Sequence, residues 1–241
     1  MMRLEIAGIP VGINNKYNFS DWNFCGHETE RLPLLEVSAT EREIDKEYNR
    51  ITPEFDIVQA ERNILYQKIC FGMLDYDGFL IHAAVVAVDG EAYAFTAPSG
   101  TGKSTHVGYW MQVFGSRAQI VNGDKPIIRR IDGCFYACGT PWRGKEHQGA
   151  AINVPLKALC LLERGEENVI VRATDADVID KLFFQIPIPW EAHQVEKQID
   201  LLNQLMKEVP IFKLSCNMSQ EAAVVAYNGI NNLGEKSCEG R

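Results

Sequence analysis

The sequence has 241 residues, 46% hydrophobic and 23% charged, which is typical of a globular protein rather than a disordered or repetitive one. Its formal net charge of -8 argues against a protein whose main task is to hold nucleic acid, because that affinity comes from lysine and arginine neutralising phosphates. No apolar run reaches the ~20 residues of a membrane span, and the start lacks a signal-peptide core. We therefore expect a cytoplasmic protein without a membrane segment.

The first quarter of the chain carries no chemical motif. Residues 1–55 alternate short apolar runs with polar turns and predict a small β-rich N-terminal part. Apolar residues at helical spacing over 55–74 predict a helix that leads into the main domain, residues 56–230. Residues 231–241 are polar and are expected to form a flexible tail.

A hairpin signal in the middle of the chain decides the fold class. Residues 79–88 form an apolar run, Asp89 and Gly90 form a two-residue turn signal, and residues 91–96 form a second strand. Parallel neighbours need crossovers of a dozen or more residues, so these two strands must be antiparallel. A second hairpin signal at Asp132 and Gly133 follows the same logic. We therefore predict an α/β (α+β) fold with a mixed sheet.

The second half of the chain alternates predicted strands and helices. Strands are expected at 118–121, 126–131 and 134–138, and a further strand pair at 156–163 and 168–172. Helices are expected at 176–185 and 192–207, a strand at 209–214, and a last helix through about 228 that Asn217 caps.

The cysteines do not form a metal-binding pattern. They are seven, an odd number, without any C-x-x-C pair, and several lie inside apolar stretches. A metal site built from Cys134 and Cys138 is an alternative, but the spacing on a strand with no second pair favours small buried side chains.

The strongest chemical signal follows the strand at 91–96. Residues 97–105 read Ala-Pro-Ser-Gly-Thr-Gly-Lys-Ser-Thr, which matches the phosphate-binding P-loop (Walker A) pattern except that its first glycine is Ala97. Glycines let successive backbone N–H groups converge on a phosphate at the start of the next helix. The residues predicted to bind the nucleotide are Pro98, Ser99, Gly100, Thr101, Gly102, Lys103, Ser104 and Thr105.

These residues, together with Ile-His-Ala-Ala at 81–84 and Asn-Gly-Asp-Lys at 122–125, carry a family resemblance. Over about residues 78–165 the chain resembles the HPr kinase/phosphorylase and phosphoenolpyruvate carboxykinase fold group, and in particular the small HPr-kinase-like proteins of bacteria. The resemblance implies ATP and Mg²⁺ as cofactors, and the compact HPr-kinase C-terminal-domain architecture. It also implies a homo-oligomer, because family enzymes often assemble.

The resemblance assigns roles to individual residues. Family members usually carry paired acids after the P-loop helix, one as metal ligand and one as general base, whereas this chain retains only Asp124. Asp124 and Ser104 are the candidate Mg²⁺ ligands, and Lys103 faces the β and γ phosphates. Either Asp124 also accepts the proton of the substrate hydroxyl, or the base comes from elsewhere.

Three further residues are candidates for catalysis. His82 falls where the family has a histidine, although a lone histidine in an apolar strand is also common as a satisfied core residue. Arg143 and Lys145 lie in a loop rich in glycine and proline, where they would neutralise charge on the transferred phosphoryl group or on an acidic substrate. Surface solvation is the alternative role for both.

The leading interpretation is an ATP-dependent kinase that transfers the γ-phosphoryl group to a hydroxyl, either a serine of a peptide or protein or a small molecule. The missing second acid supports an alternative, a catalytically silent ATP-binding sensor or partner module. An ordinary P-loop ATPase or GTPase switch is disfavoured, because the sequence has neither a Walker-B-like apolar strand ending in aspartate nor an N-K-x-D motif. Residues 122–125 carry asparagine, lysine and aspartate in the wrong order.

Overall fold

The computed structural model describes residues 1–17, 24, 26–51 and 56–234. These residues form a mixed α/β architecture of twelve strands and six α-helices, with short 3₁₀ turns between them. The strands are β1 (Met2–Ile6), β2 (Ile9–Asn14), β3 (Leu35–Ser38), β4 (Gly78–Leu80), β5 (Ala83–Val88), β6 (Glu91–Thr96), β7 (Ala118–Asn122), β8 (Ile127–Ile131), β9 (Cys134–Cys138), β10 (Asn153–Arg164), β11 (Val169–Arg172) and β12 (Ile211–Cys216). The helices are α1 (Glu41–Arg50), α2 (Ile57–Gly72), α3 (Lys103–Phe114), α4 (Asp175–Leu182), α5 (Ala192–Glu208) and α6 (Glu221–Leu233).

The strands form a small sheet and a large mixed sheet. The small sheet has the order β1-β2-β3, and the large one runs β4-β8-β9-β10-β6-β5-β7, with β12 on β10 and β11 on β12. Strand β5 is antiparallel to both β6 and β7, whereas β10 is parallel to both β6 and β12. The mixed sheet expected from the two hairpin signals is therefore confirmed.

The β5–β6 hairpin that precedes the glycine-rich loop has the expected two-residue turn. Asp89 and Gly90 have φ values of 52° and 84°, the left-handed pair that a type I′ turn requires. Both strands are almost fully buried, because alternate residues face two different clusters of the core. This burial on two faces explains why the sequence here is continuously apolar rather than alternating.

Helices cover both faces of the large sheet. Val107 and Trp110 of α3 pack with Ala226 of α6 in one core cluster, which includes alternate residues of β5 and β6. The opposite faces of these strands pack on α4 and α5, through buried leucines such as Leu182 and Leu202. The apolar residues recur along each helix at the spacing of one face, so each helix buries a single stripe.

The N-terminal part shares a core with the large sheet. Apolar residues of β1, β2, α1 and α2 form one buried cluster with Leu80 of β4, Ile127 of β8 and Cys138 of β9. The sequence interpretation predicted strands here but missed α1, which begins with a capping box between Thr40 and Glu43.

Three predictions of strand organisation need correction. The apolar run 79–88 is not one strand but two, because the chain leaves the sheet at residues 81–82 between β4 and β5. The strands at 156–163 and 168–172 do not pair with each other, since β12 lies between β10 and β11. The next strand runs from residue 211 to 216 rather than 209 to 214.

The end of the chain also differs from expectation. Asn217 does not cap the last helix, which begins at Glu221. Its backbone N–H instead bonds Asn168 Oδ1 at 3.0 Å. Helix α6 extends to Leu233, so residues 231–233 are helical rather than part of a tail, and residues 235–241 of the predicted tail lie outside the described residues. Among the helices of the described residues, none is long and apolar enough to cross a membrane.

Candidate functional site

One edge of the large sheet carries the candidate site. Strands β6, β7, β10 and β12 all point their carboxyl ends to this edge, which follows from the pairing of β5 with β6 and β7 and of β10 with β6 and β12. The segments that follow these four strands line a cavity of about 610 Å³. In open α/β sheets, ligands bind outside the carboxyl ends of strands.

The glycine-rich loop, residues 97–105, occupies the middle of this edge. Gly100 and Gly102 have φ values of 79° and 121°, which residues with a Cβ rarely adopt, so the two glycines give the loop its curvature. Helix α3 starts at Lys103 without a side-chain cap. The N–H groups of its first turn, which have no intrahelical partners, therefore face the cavity mouth at the positive end of the helix dipole.

Lys103 is the buried cation of this loop. Only 7% of its surface is exposed, and its Nζ donates to the carbonyl oxygen of Ala97 at 2.8 Å. Burial lowers the pKa of Lys103 to about 8, with the Lys125 charge acting in the same direction and the Asp124 carboxylate opposing it.

Asp124 lies across the cavity from the loop, beside His82. Its Oδ1 is 3.2 Å from His82 Nε2 and 3.8 Å from Lys125 Nζ. Burial raises the pKa of Asp124, but the hydrogen bond from His82 and the charges of Lys125 and Lys103 outweigh it, so that the pKa lies below its ordinary value. Asp124 is therefore ionised at neutral pH, as a metal ligand must be.

Two residues hold this pair in place. Gln185 accepts from the backbone N–H of His82 at 2.8 Å through its carbonyl oxygen, and its side-chain Oε1 lies 3.0 Å from His82 Nδ1. Asn122 Oδ1 accepts from the backbone N–H groups of Asp124 and Lys125 at 2.9 and 2.8 Å. The amide of Asn122 also donates to Thr140, so it joins the end of β7 to the loop after β9.

The segment between β9 and β10 closes over Asp124. Gly144 has a φ of 71°, and a Cβ at this position would lie 2.8 Å from Asp124 Cβ. Gly123 is constrained less severely, because its Cβ would lie 3.2 Å from the carbonyl oxygen of Arg143. Glycine at both positions allows the two backbone segments to approach each other closely, and Arg143 and Lys145 line the cavity as a result.

A second arm of the cavity lies on the other side of the glycine-rich loop. Its walls come from Tyr109 of α3, Leu162 of β10, and Cys216 and Met218 at the end of β12. Burial raises the pKa of the Cys216 thiol. We call this the Met218 arm, and the region of Asp124 and His82 the Asp124 arm.

The cavity is locally cationic in an acidic protein. Among the described residues that line it are Lys103, Lys125, Arg143, Lys145 and Arg164. The carboxylates in this described lining are Asp124, Glu146 and Glu163, and Glu163 is in an ion pair with Lys181 outside the cavity. An excess of positive charge favours an anionic ligand, and steers it to this edge.

The structure brings nearly all the predicted site residues together. The cavity is lined by His82, Ser99, Gly100, Thr101, Gly102, Lys103, Ser104, Thr105, Asp124, Arg143 and Lys145. Pro98 is not part of this lining, and its carbonyl oxygen instead accepts from Thr101 Oγ1 at 2.9 Å. Within the described chain no cluster of three or more histidine, cysteine, aspartate or glutamate side chains forms a metal site.

Several residues of the site were not predicted from the sequence, among them Arg164, Gln185 and the four residues of the Met218 arm. Arg164 donates to the carbonyl oxygens of Gly100 and Thr101 at 2.6 and 3.1 Å, and so fixes the glycine-rich loop. Gln185 holds His82. The sequence signal for Arg164 was a cation at the end of an apolar strand. Assigning it to the site would have required knowing that β10 pairs with β6 in parallel. No local pattern marks Gln185.

Comparisons with known proteins give limited support. No protein-family model matches the sequence, and no curated protein matches it. Among solved structures, the chain is similar to the Hpr(Ser) kinase/phosphatase from Coxiella burnetii, with a TM-score of 0.39 and 10% sequence identity over 64% of this chain and 97% of that chain. A TM-score of this size carries no argument about function, so the site rests on its own residues.

Proposed function

We propose that the chain is a Mg²⁺-dependent phosphotransferase that binds a nucleoside triphosphate, ATP in the first instance, and transfers its γ-phosphoryl group to a hydroxyl. The observation that carries this proposal is the position of Asp124 opposite Lys103 and the uncapped start of α3, within one cationic cavity. Phosphoryl transfer depends mainly on positioning and charge neutralisation, and these residues supply both.

The phosphates would lie on the glycine-rich loop. Backbone N–H groups at the start of α3 would donate to their oxygens, and Lys103 would exchange its bond to Ala97 for a bond to the β and γ phosphates. Arg143 and Lys145 would neutralise the charge that develops on the transferred group.

The residues also fit Mg²⁺. This ion usually keeps several waters and binds one or two protein oxygens together with substrate phosphates, so a cluster of carboxylates is not required. Ser104 and Asp124 would hold it, and it would neutralise charge on the β and γ oxygens. His82 would keep the Asp124 carboxylate in one orientation, because the other nitrogen of the His82 ring is held by Gln185.

The two arms of the cavity suggest the direction of the bound nucleotide. The Asp124 arm holds the acid, the histidine and the cations that act on the γ phosphate and the acceptor hydroxyl. The Met218 arm presents a tyrosine ring, a thioether and a leucine, which fit the flat apolar faces of a nucleobase. The triphosphate would therefore run from the base in the Met218 arm to the γ phosphate beside Asp124.

The test measures ATP binding and phosphoryl transfer separately. MgATP affinity is measured by calorimetry for the wild type, Lys103→Ala and the matched control Lys207→Ala, an exposed lysine at the end of α5. Loss of one charged hydrogen-bond partner predicts a decrease in affinity of roughly 30-fold or more for Lys103→Ala alone. Transfer from γ-labelled ATP to a pool of serine peptides and small hydroxyl compounds is then followed. Absence of MgATP binding by the wild type would overturn the proposal.

A second candidate function, a nucleotide-binding module without catalysis, is favoured by one observation. Gly123 and Lys125 flank Asp124 where kinases of the resembled family carry a second acid, and the lowered pKa of Asp124 makes it a weak proton acceptor. The two functions differ in the behaviour of Asp124→Asn. For a kinase we expect transfer to decrease by roughly 10² to 10⁴-fold with MgATP still bound. For a silent module the wild type itself transfers nothing.

A further inference from the structure

A cluster of exposed apolar side chains lies outside the cavity and has no role in the proposed site. It is formed by the connection between α4 and α5. Phe184, Ile188 and Trp190 are 82%, 73% and 68% exposed, and Phe183 is 40% exposed. We call these four residues the aromatic patch. Single exposed apolar residues are common, but neighbouring ones of this size mark interaction surfaces.

The backbone under the aromatic patch is firmly anchored. Leu182, Gln185, Ile186 and Pro189 alternate with the exposed residues and are all buried. The carbonyl oxygen of Pro187 accepts from Gln198 Nε2 at 3.0 Å, and the Trp190 ring contacts the Phe71 ring edge-on with centroids 5.4 Å apart. The exposed side chains therefore stand on a preformed surface, and a ligand would not have to pay for ordering this segment.

The aromatic patch is directly connected to the Asp124 arm. Gln185 follows Phe184 in the chain and bonds His82 through both its backbone and its side chain, and His82 bonds Asp124. Consecutive Cα atoms are about 3.8 Å apart, so Phe184 is one residue away from a direct contact of the catalytic pair. The patch therefore begins next to the residue that holds His82.

The charges around the patch indicate what kind of polypeptide it fits. Residues 175–200 carry six carboxylates and only two lysines. Both lysines are already in ion pairs with carboxylates outside this segment, Lys181 with Glu163 and Lys197 with Asp75, and the carboxylate of Asp177 is in an ion pair with Lys213, which leaves five carboxylates. The rim of the patch is therefore acidic, and a second copy of this acidic chain would be repelled where a basic segment would be attracted.

We propose that the aromatic patch is the docking site of the phosphoryl acceptor, and that this acceptor is a polypeptide segment in which apolar and basic residues flank a serine or threonine. This inference rests on the proposed function and narrows its acceptor from any hydroxyl compound to a basic, apolar peptide. The patch binds the flanking residues, and its position beside Gln185 lets the bound segment present its hydroxyl to Asp124.

The experiment uses the full chain and two fluorescein-labelled peptide libraries. Each library has a central serine with leucine or phenylalanine at neighbouring positions, and the remaining positions are arginine or lysine in one library and aspartate or glutamate in the other. Binding is measured by anisotropy without nucleotide, and transfer from γ-labelled MgATP is measured separately. We expect the basic library to bind at least tenfold more tightly and to be the better acceptor.

Two variants and a control locate the binding surface. Phe184→Ser and Ile188→Ser are expected to weaken binding of the basic library roughly tenfold each and to raise the KM for it, because central apolar contacts carry most of an interface's energy. MgATP affinity should not change. The control is Val169→Ser, which removes an apolar side chain 45% exposed on β11. It should change neither the binding of the basic library nor the affinity for MgATP.

The outcomes separate the two proposals. Binding of the basic library that the patch variants abolish, without transfer by the wild type to either library, would refute the patch as an acceptor site, and transfer to the small hydroxyl compounds of the first test would then decide the kinase. Transfer that is equal for the two libraries, or unchanged in both patch variants, would refute the docking site and leave the kinase standing. A dimer in analytical ultracentrifugation that Phe184→Ser dissociates would identify the patch as a contact between copies, and would also refute the proposal.

Discussion

At the scale of single residues, His106 links the glycine-rich loop to protein stability. It lies in the first turn of α3 and is 3% exposed, and its Nε2 accepts from Trp110 Nε1 at 3.0 Å. Its Nδ1 has no hydrogen-bond partner among the described residues. Burial lowers the pKa of His106 to about 4. The folded protein therefore contains the neutral imidazole at any pH near neutrality.

This environment predicts a dependence of stability on pH. The folded pKa is below the ordinary value of 6.5, so the stabilising contribution is complete above pH 6.5 and is lost as the pH falls from 6.5 towards 4. Over that window we expect the free energy of unfolding to decrease by up to about 1.4 kcal/mol per pH unit from this residue. Urea titrations of the wild type and His106→Gln between pH 4 and 8 provide the measurement. Parallel pH profiles for the two proteins would contradict the prediction.

The sequence identified the site residues that act through local patterns and missed those that act through distant contacts. The loop residues, Asp124 and His82 stand in recognisable motifs, and the structure places them in one cavity, while their roles stay predictions. Gln185 lies 103 residues from His82, and Arg164 lies 64 residues from Gly100. Neither contact leaves a trace in the neighbouring sequence, because each depends on which strands become neighbours.

At the scale of elements, the segment between β9 and β10 depends on a glycine. Gly144→Ala would place a methyl group 2.8 Å from Asp124 Cβ, at a φ of 71° that an alanine rarely adopts. Either the segment or Asp124 must move. We expect phosphoryl transfer to decrease by roughly 10²-fold, since small displacements of positioned groups are costly to catalysis.

A matched glycine variant provides the control for this prediction. Gly108 lies within α3, and a Cβ there would meet nothing within 4 Å. Gly108→Ala should raise the free energy of unfolding by about 0.5 to 1 kcal/mol through the helix propensity of alanine, with transfer unchanged. Phosphoryl transfer by Gly144→Ala at the rate of Gly108→Ala would contradict the prediction.

The end of β12 offers a second test at this scale, because Cys216 lines the Met218 arm and is partly exposed. If the nucleobase occupies this arm, MgATP should slow alkylation of Cys216 by N-ethylmaleimide several-fold, whereas tripolyphosphate should not. Mass mapping of peptides separates Cys216 from the other thiols, and Cys216→Ser identifies its signal. Equal protection by both ligands would place the base elsewhere.

Elements with a strong local signal were predicted well. The β5–β6 and β8–β9 hairpins have the expected turns, with positive φ at Asp89, Gly90, Asp132 and Gly133. The error concerned β11, because adjacency in the sequence suggested that it pairs with β10. Strand β12 inserts between them, and it arrives in the chain only after two helices. Local turn chemistry does not encode such an insertion.

At the scale of the whole molecule, the N-terminal part and the large sheet share a core. Ile64, Leu65 and Ile69 of α2 are buried in one cluster with residues of β1 and β2 and with residues of β4, β8 and β9. We therefore expect one cooperative thermal transition for the full chain. A chain shortened to residues 56–241 would expose this cluster and should lose the transition.

Calorimetry of the full and the shortened chains measures this directly. Two separate transitions in the full chain would contradict the prediction, and so would a shortened chain that melts cooperatively at the same temperature and binds MgATP. The sequence alone does not predict that the N-terminal part and the large sheet share a core. The apolar residues of α2 predict a buried face, but not the two sheets that cover it.

Strand β10 carries a consequence for the order of events during synthesis on the ribosome. It pairs with β9 at residues 153–155, with β6 along its middle, and with β12 at residues 159–164. The glycine-rich loop therefore leaves the ribosome long before β10 and β12, and Arg164, Gln185 and Cys216 follow it in that order. At about 5 to 20 residues per second, the nascent loop waits several seconds for its partners. A ribosome stalled before residue 216 therefore holds a chain that lacks part of the candidate site.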